Sequence, residues 1–179
     1  MAILKVARLG HPVLRRIAEP VPPEGIGAPE IQRLIDDMFE TVDAYDGAGL
    51  AAPQVHVSQR IVIYGVDANP RYPDAEAVPR TVLINPRVSA LTAEEDEDWE
   101  GCLSIPDLRG KVVRPTRVRV EAYARDGAPL RFVADGFHAR VVQHECDHLD
   151  GKLFIDRMRS FETLAFLDEF QRYWLPRAR

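Results

Sequence analysis

Residues 144 to 148 read His-Glu-Cys-Asp-His. On a helix this spacing stacks His144 and His148 on one face, one turn apart, where both imidazoles can hold a single ion. Glu145, about 100° further round, can reach a water on that ion and move its proton. The chemistry this arrangement suits is hydrolysis by an activated water. The rival interpretation is a helix with two core histidines. It is weakened because Phe137 and Val141 mark the same face as apolar, where two imidazoles and a carboxylate are costly to bury without strong partners.

A catalytic ion needs a third protein ligand and an open position. The metzincin pattern would place a third histidine where this chain has Phe154, so that pattern is excluded. A thermolysin-like site would draw on Glu162 or Glu169. The alternative is Cys102 in EGCLS (100 to 104), where Gly101 frees the backbone to turn. The residues alone leave these two options open, since a lone cysteine is as easily a buried apolar side chain. Cys146 points about 200° away from His144 and packs as a small apolar residue. His11 and His56 lie in turns and His138 is off the His144 face, so these three are structural.

The element carrying the histidines should span Gly136 to Leu149, closed by Gly151. Ile31, Leu34, Ile35, Met38, Phe39 and Val42 predict an N-terminal helix over 30–42 that ends near Gly47. Segments 60–66, 81–85 and 117–123 have strand patterning. Asp126-Gly127 turns the last of these into a hairpin through residue 134. Ser160 should cap a final helix carrying Leu164, Leu167, Phe170 and Trp174. Residues 68–80 form a Pro-rich loop, and the acidic run EEDEDWE (94–100) is a solvated loop. Helices before and after a block of strands, rather than between each pair, indicate an α+β fold with antiparallel strands.

With 179 residues, 46% hydrophobic and 28% charged, the chain has the profile of one ordinary domain spanning 1–179. Two cysteines do not make a disulfide framework. A net charge of −5 with scattered basic residues argues against a nucleic-acid surface. No segment is a transmembrane or secretory signal candidate, which places the protein in the cytoplasm.

Three blocks stand in order: GAGLAAPQ (47–54), EGCLS (100–104) and QHECDH (143–148). Together with LGHPVLRR, CLSIPDLRG and GKLFIDRM they resemble the peptide deformylase family over nearly the whole chain. The resemblance implies Cys102, His144 and His148 as metal ligands and Glu145 as the catalytic acid/base. It gives oxyanion stabilisation to Gln54 and the Leu103 N–H. It also implies a central HExxH helix among antiparallel strands, Gly49 beside the substrate backbone, and Arg109 near the far end of the peptide. Leu50, Trp99 and Val141 are candidates for a methionine pocket.

The implied reaction removes the formyl group from formylmethionine of newly made polypeptides and releases formate. The resemblance implies Fe2+ as the working ion, while one thiolate and two imidazoles also suit Zn2+, Ni2+ or Co2+. The alternatives are an HExxH zinc metallopeptidase cleaving internal bonds, and a non-catalytic binder of formyl-Met peptides. The binder would need neither Glu145 nor Gln54. Work on nascent chains implies contact near the ribosomal exit, to which Arg172, Arg177 and Arg179 would contribute.

Overall fold

The computed structural model describes residues 2–66 and 77–175. Most of the Pro-rich loop, as well as Arg177 and Arg179, therefore lies outside the described residues. The elements in chain order begin with α1 (Pro29–Ala44), β1 (Gly49–Ala51), β2 (Ile61–Val66) and β3 (Val78–Ala90). There follow β4 (Glu95–Cys102), β5 (Ile105–Pro115), β6 (Arg117–Tyr123), β7 (Pro129–Asp135), α2 (Gly136–Leu149), β8 (Ala165–Phe166) and α3 (Leu167–Tyr173). This is an α+β fold, with one sheet ordered β1-β2-β3-β6-β7 and another ordered β4-β5-β8, all pairings antiparallel.

Helix α1 forms because Ile31, Ile35, Met38 and Val42 return to one face every three or four residues. That face packs with Leu50, Ile61, Ile63 and Ile84 from the sheet. The other face of the sheet supplies Val62, Tyr64, Val118 and Val120 to a core shared with Val142, Cys146 and Leu149 of α2. Alternation along β2 thus sends Ile61 and Ile63 toward α1, and Val62 and Tyr64 toward α2. The β6–β7 hairpin keeps regular register from Arg117↔Asp135 to Tyr123↔Pro129, and the Asp126 carboxylate accepts from the Ala128 N–H across its turn.

Helix α2 has the predicted bounds and contacts β1, β2, β3, β5, β6 and β7. Gly151 follows its C-terminus at φ +68°, and a Cβ there would stand 2.7 Å from the Arg15 carbonyl oxygen. Both constraints demand glycine.

Three segments differ from expectation. The acidic run is strand β4, paired residue for residue with β5 from Glu95↔Pro115 to Glu100↔Gly110. Its exposed carboxylates alternate with nothing apolar, so periodicity could not mark it. Ser160 caps a single 3-10 turn, Phe161–Thr163, because β8 intervenes before the shorter α3, and Leu164 and Trp174 fall outside that helix. Residues 78–80 of the Pro-rich stretch open β3. No helix among the described residues is long and apolar enough to cross a membrane.

Gly151→Ala should lower stability by about 2 kcal/mol. Urea unfolding would check this, and an unchanged midpoint with an unchanged slope would contradict the strain argument.

Candidate active site and metal centre

Cys102 ends β4 just before the two-residue turn Leu103-Ser104 that returns the chain into β5, where it pairs with Ile105. The hairpin tip thereby delivers the thiol to the inner face of α2. The ligand atoms of Cys102, His144 and His148 all lie within 4.8 Å of one another, and all three residues are buried. His148 Nε2 stands 3.3 Å from Cys102 Sγ. Glu162 and Glu169, the other candidates for a third ligand, are exposed on the C-terminal elements and do not join this group.

His144 Nδ1 donates to Glu100 Oε2 at 2.8 Å. A carboxylate can only accept, so this bond fixes the tautomer and frees Nε2. Glu100 is buried and also accepts from Arg114 (2.6 and 2.9 Å) and Arg140 (2.9 Å). Burial alone would raise the Glu100 carboxyl, but bonds from Arg114 and His144 outweigh it and hold the group well below the usual carboxylate range. Arg114 reaches on to Asp147 at 2.8 Å, which Arg157 also clamps. Glu100, Arg114, Arg140 and Asp147 went unnoticed in the sequence. Glu100 sat inside a run of solvated acids, and the only available signal was that it directly precedes Gly101-Cys102.

Burial opposes ionisation of Cys102, yet His148 and His144 overcome it and hold the thiol well below its ordinary range. Burial likewise opposes protonation of His144, and Cys102 and Glu100 overcome that too, pushing it well above the usual imidazole value. The pocket therefore demands positive charge beside a thiolate, and a divalent cation would supply that charge at the same place. The thiolate and two imidazoles fit zinc or a first-row transition ion.

Glu145 is buried, and its Oε2 has no hydrogen-bond partner among the described residues. Burial pushes its carboxyl up to about 7, against the pull of His144 and His148. Gly49 makes room for it: a Cβ at position 49 would stand 2.7 Å from Glu145 Oε1. Gln54 is oriented by the Ala51 N–H, which donates to its Oε1 at 2.8 Å. Its Nε2 then faces Cys102 Sγ at 3.4 Å and Ser104 Oγ at 3.1 Å.

These groups border a narrow cavity of about 40 Å³, lined also by Gly49, Trp99, Leu103, Phe137 and Val141. Two residues expected near the substrate, one in the methionine pocket and one near the far end of the peptide, do not line this cavity. The Leu50 side chain is fully buried in the α1 core, because strand alternation turns it away from the cavity that its neighbour Gly49 lines. Arg109 is buried on β5, packed so closely on Gly101 that a Cβ there would meet its Nη1 at 2.6 Å. Gly101 thus serves this close packing, and it is absent from the residues with positive φ. Trp99 lines the cavity and packs on Phe170 and Trp174 at ring separations of 4.7 and 5.2 Å. His138 meets the Tyr64 hydroxyl, His11 caps a 3-10 turn and His56 takes a left-handed φ of 67°, all remote from the donor group.

An HExxH helix, a thiol brought in by a hairpin and a buried carboxylate beside a small cavity define a metallohydrolase. Residues 3–163 match the sequence profile of polypeptide deformylases. The chain is 49% identical over 166 residues to peptide deformylase 2 of Pseudomonas syringae pv. tomato, covering 93% of both chains, and 50% identical over the same coverage to peptide deformylase 2 of Ralstonia nicotianae. The crystal structure of a class I type b peptide deformylase from Acinetobacter baumannii, bound to Met-Ala-Ser, superposes with a TM-score of 0.85 at 41% identity. That match covers 88% of this chain and 99% of the other. The chain belongs to the polypeptide deformylase family. It is a metal-dependent hydrolase that removes the N-formyl group from formylmethionine at the start of newly synthesised polypeptides.

In the metal-free protein, a Glu145 carboxyl raised from 4.5 to about 7 binds a proton when folded that the unfolded chain has already released. Stability is therefore lost as pH rises through that window, by on the order of 3 kcal/mol in full above it. Glu145→Gln should unfold at higher urea than the parent at pH 8, with the gap closing near pH 5. Coincident midpoints at pH 8 would contradict the shift.

Proposed function

We propose that Cys102, His144 and His148 hold the ion and that Glu145 carries the proton in this reaction, within one catalytic unit spanning residues 1–179 and built around α2. The observation that supports this most is convergence. Cys102 and His144 of the compact donor group, Glu145 with its orphaned oxygen and the oriented Gln54 all line one small cavity. When bound, a divalent ion lowers the pKa of a water to about 7 and polarises a carbonyl oxygen.

The residues do the rest. Glu145 accepts the water's proton as oxygen attacks the formyl carbon, and the same carboxyl can then return that proton to the departing amine. Gln54 Nε2–H and the Leu103 N–H donate to the formyl oxygen as its charge grows. Glu100 keeps His144 in the tautomer that presents Nε2, and Gln54 Oε1 stays occupied by Ala51 so that its amide nitrogen faces inward. Gly49 borders the substrate backbone and spares space for Glu145, while Trp99 and Val141, with Phe137, form the apolar wall that receives methionine. The narrow cavity admits a formyl group and disfavours an acetyl group.

Membership of the deformylase family is the ground for proposing Fe2+ in the cell, while one thiolate and two imidazoles also suit Zn2+, Ni2+ or Co2+. The enzyme is proposed to act in the cytoplasm on formylmethionyl nascent chains near the ribosome, with Arg172 on α3 as a basic contact.

Glu145→Ala should keep one equivalent of metal and lose about 10²–10⁴ in the rate of formate release from a formyl-Met tripeptide. Full activity in that variant would sink the mechanism. Cys102→Ser should lose most of its metal on dialysis. If it instead kept its metal and cleaved internal peptide bonds, the metallopeptidase reading would replace this one. Gly49→Ala, which must displace Glu145, should lower kcat by on the order of a hundredfold with metal content unchanged.

A further inference from the structure

A second and much larger cavity, of about 460 Å³, lies on another face of α2, bordered by Gln143, Cys146, Asp147 and Asp150 of that helix region. Arg60, Arg87, Arg114 and Arg157 also line it. Three of these guanidiniums are already held in place. Arg114 is shared between Asp147 and Glu100, Arg157 is clamped on Asp147 at 3.1 and 2.5 Å, and Arg60 binds Asp150 at 2.8 Å and the Leu149 carbonyl at 3.3 Å.

Four guanidiniums thus line the cavity beside two carboxylates, Asp147 and Asp150. Of the four, Arg87 is exposed on β3 and has no ion pair among the described residues. Arginines fixed by their own carboxylates keep their remaining N–H groups aimed, so a ligand would not have to order them. The rest of the lining includes Val88 and Val113, partly exposed apolar side chains from two different strands. A concave site with a few convergent polar donors over an apolar wall is the usual form of a small-molecule pocket.

We propose that this cavity binds a small organic anion: its carboxylate or phosphate is held by Arg87 and the free edge of Arg157, and its apolar body rests on Val88 and Val113. The catalytic reaction offers no role for these residues, and the cavity shares no lining residue with the catalytic one.

The test titrates benzoate, phenyl phosphate and the neutral analogue benzamide into the metal-loaded enzyme by calorimetry. Met-Ala-Ser is kept saturating so that binding at the catalytic cavity does not contribute. At least one anion should bind with a Kd below about 10 mM and at least about tenfold more tightly than benzamide, its head group telling carboxylate from phosphate. Arg87→Ala should weaken that anion by about tenfold, Arg87→Lys should recover most of the loss, and Ala90→Trp, reaching in from the rim, should abolish binding. Formate release should be retained in all three variants, which shows that they fold. Equal binding of benzamide, undiminished binding in Arg87→Ala or Ala90→Trp, or no binding of either anion would overturn the proposal.

Discussion

The buried Glu100 carboxylate holds the site together. It accepts from Arg114 of β5, from Arg140 of α2 and from His144 itself, so one side chain on β4 ties the hairpin to the helix and orients an imidazole. Two buried guanidiniums would be strongly destabilising without it, and it could not be buried as a carboxylate without them. Because every member completes another, the group behaves as a unit: the register of β4 on β5, the seating of the hairpin on α2 and the presentation of His144 all follow from one set of charge-assisted bonds.

The second constraint is space. The catalytic cavity is narrowed where backbone comes close to a side chain, Gly49 of β1 abutting Glu145, and Gly101 of β4 abuts in the same way Arg109, which lies outside the cavity. These two glycines are needed for the side chains they leave room for. Gln54 contributes in a related way, its amide held by Ala51 on one side and facing Cys102 and Ser104 on the other. A polar site built on such contacts is preorganised, which is what stabilising a developing oxyanion requires.

How much of this was readable in the sequence depended on whether the stabilising contacts were local. Helix α2, helix α1 and the β6–β7 hairpin carry their signals within a few residues: apolar spacing, a Gly stop, an Asp-Gly turn. The β4–β5 hairpin carries none. Its exposed face is acidic, and its inward side chains include Glu100 and Arg114, whose burial makes sense only once partners 14 to 44 residues away are in place. The same limit governs the site. Helical geometry alone put His144, Glu145 and His148 together, whereas Cys102 depended on a hairpin tip. Leu50 was misplaced because the phase of a three-residue strand cannot be judged from its sequence, and the burial of Arg109 was not legible because its packing on Gly101 needs the folded hairpin.

The position of Cys102 on that hairpin also bears on the order of assembly. His144 and His148 become neighbours as soon as α2 forms, a local event on the microsecond scale. The third donor stands 42 residues earlier (144 − 102) and arrives only when β4 and β5 have paired and docked. A cation held by all three would therefore act as a cross-link closing a long chain loop, favouring the docked hairpin over the open one much as a covalent bridge does. A nascent copy of this protein would begin with a weak two-histidine site and acquire its full grip on the ion in the same step that completes its tertiary structure.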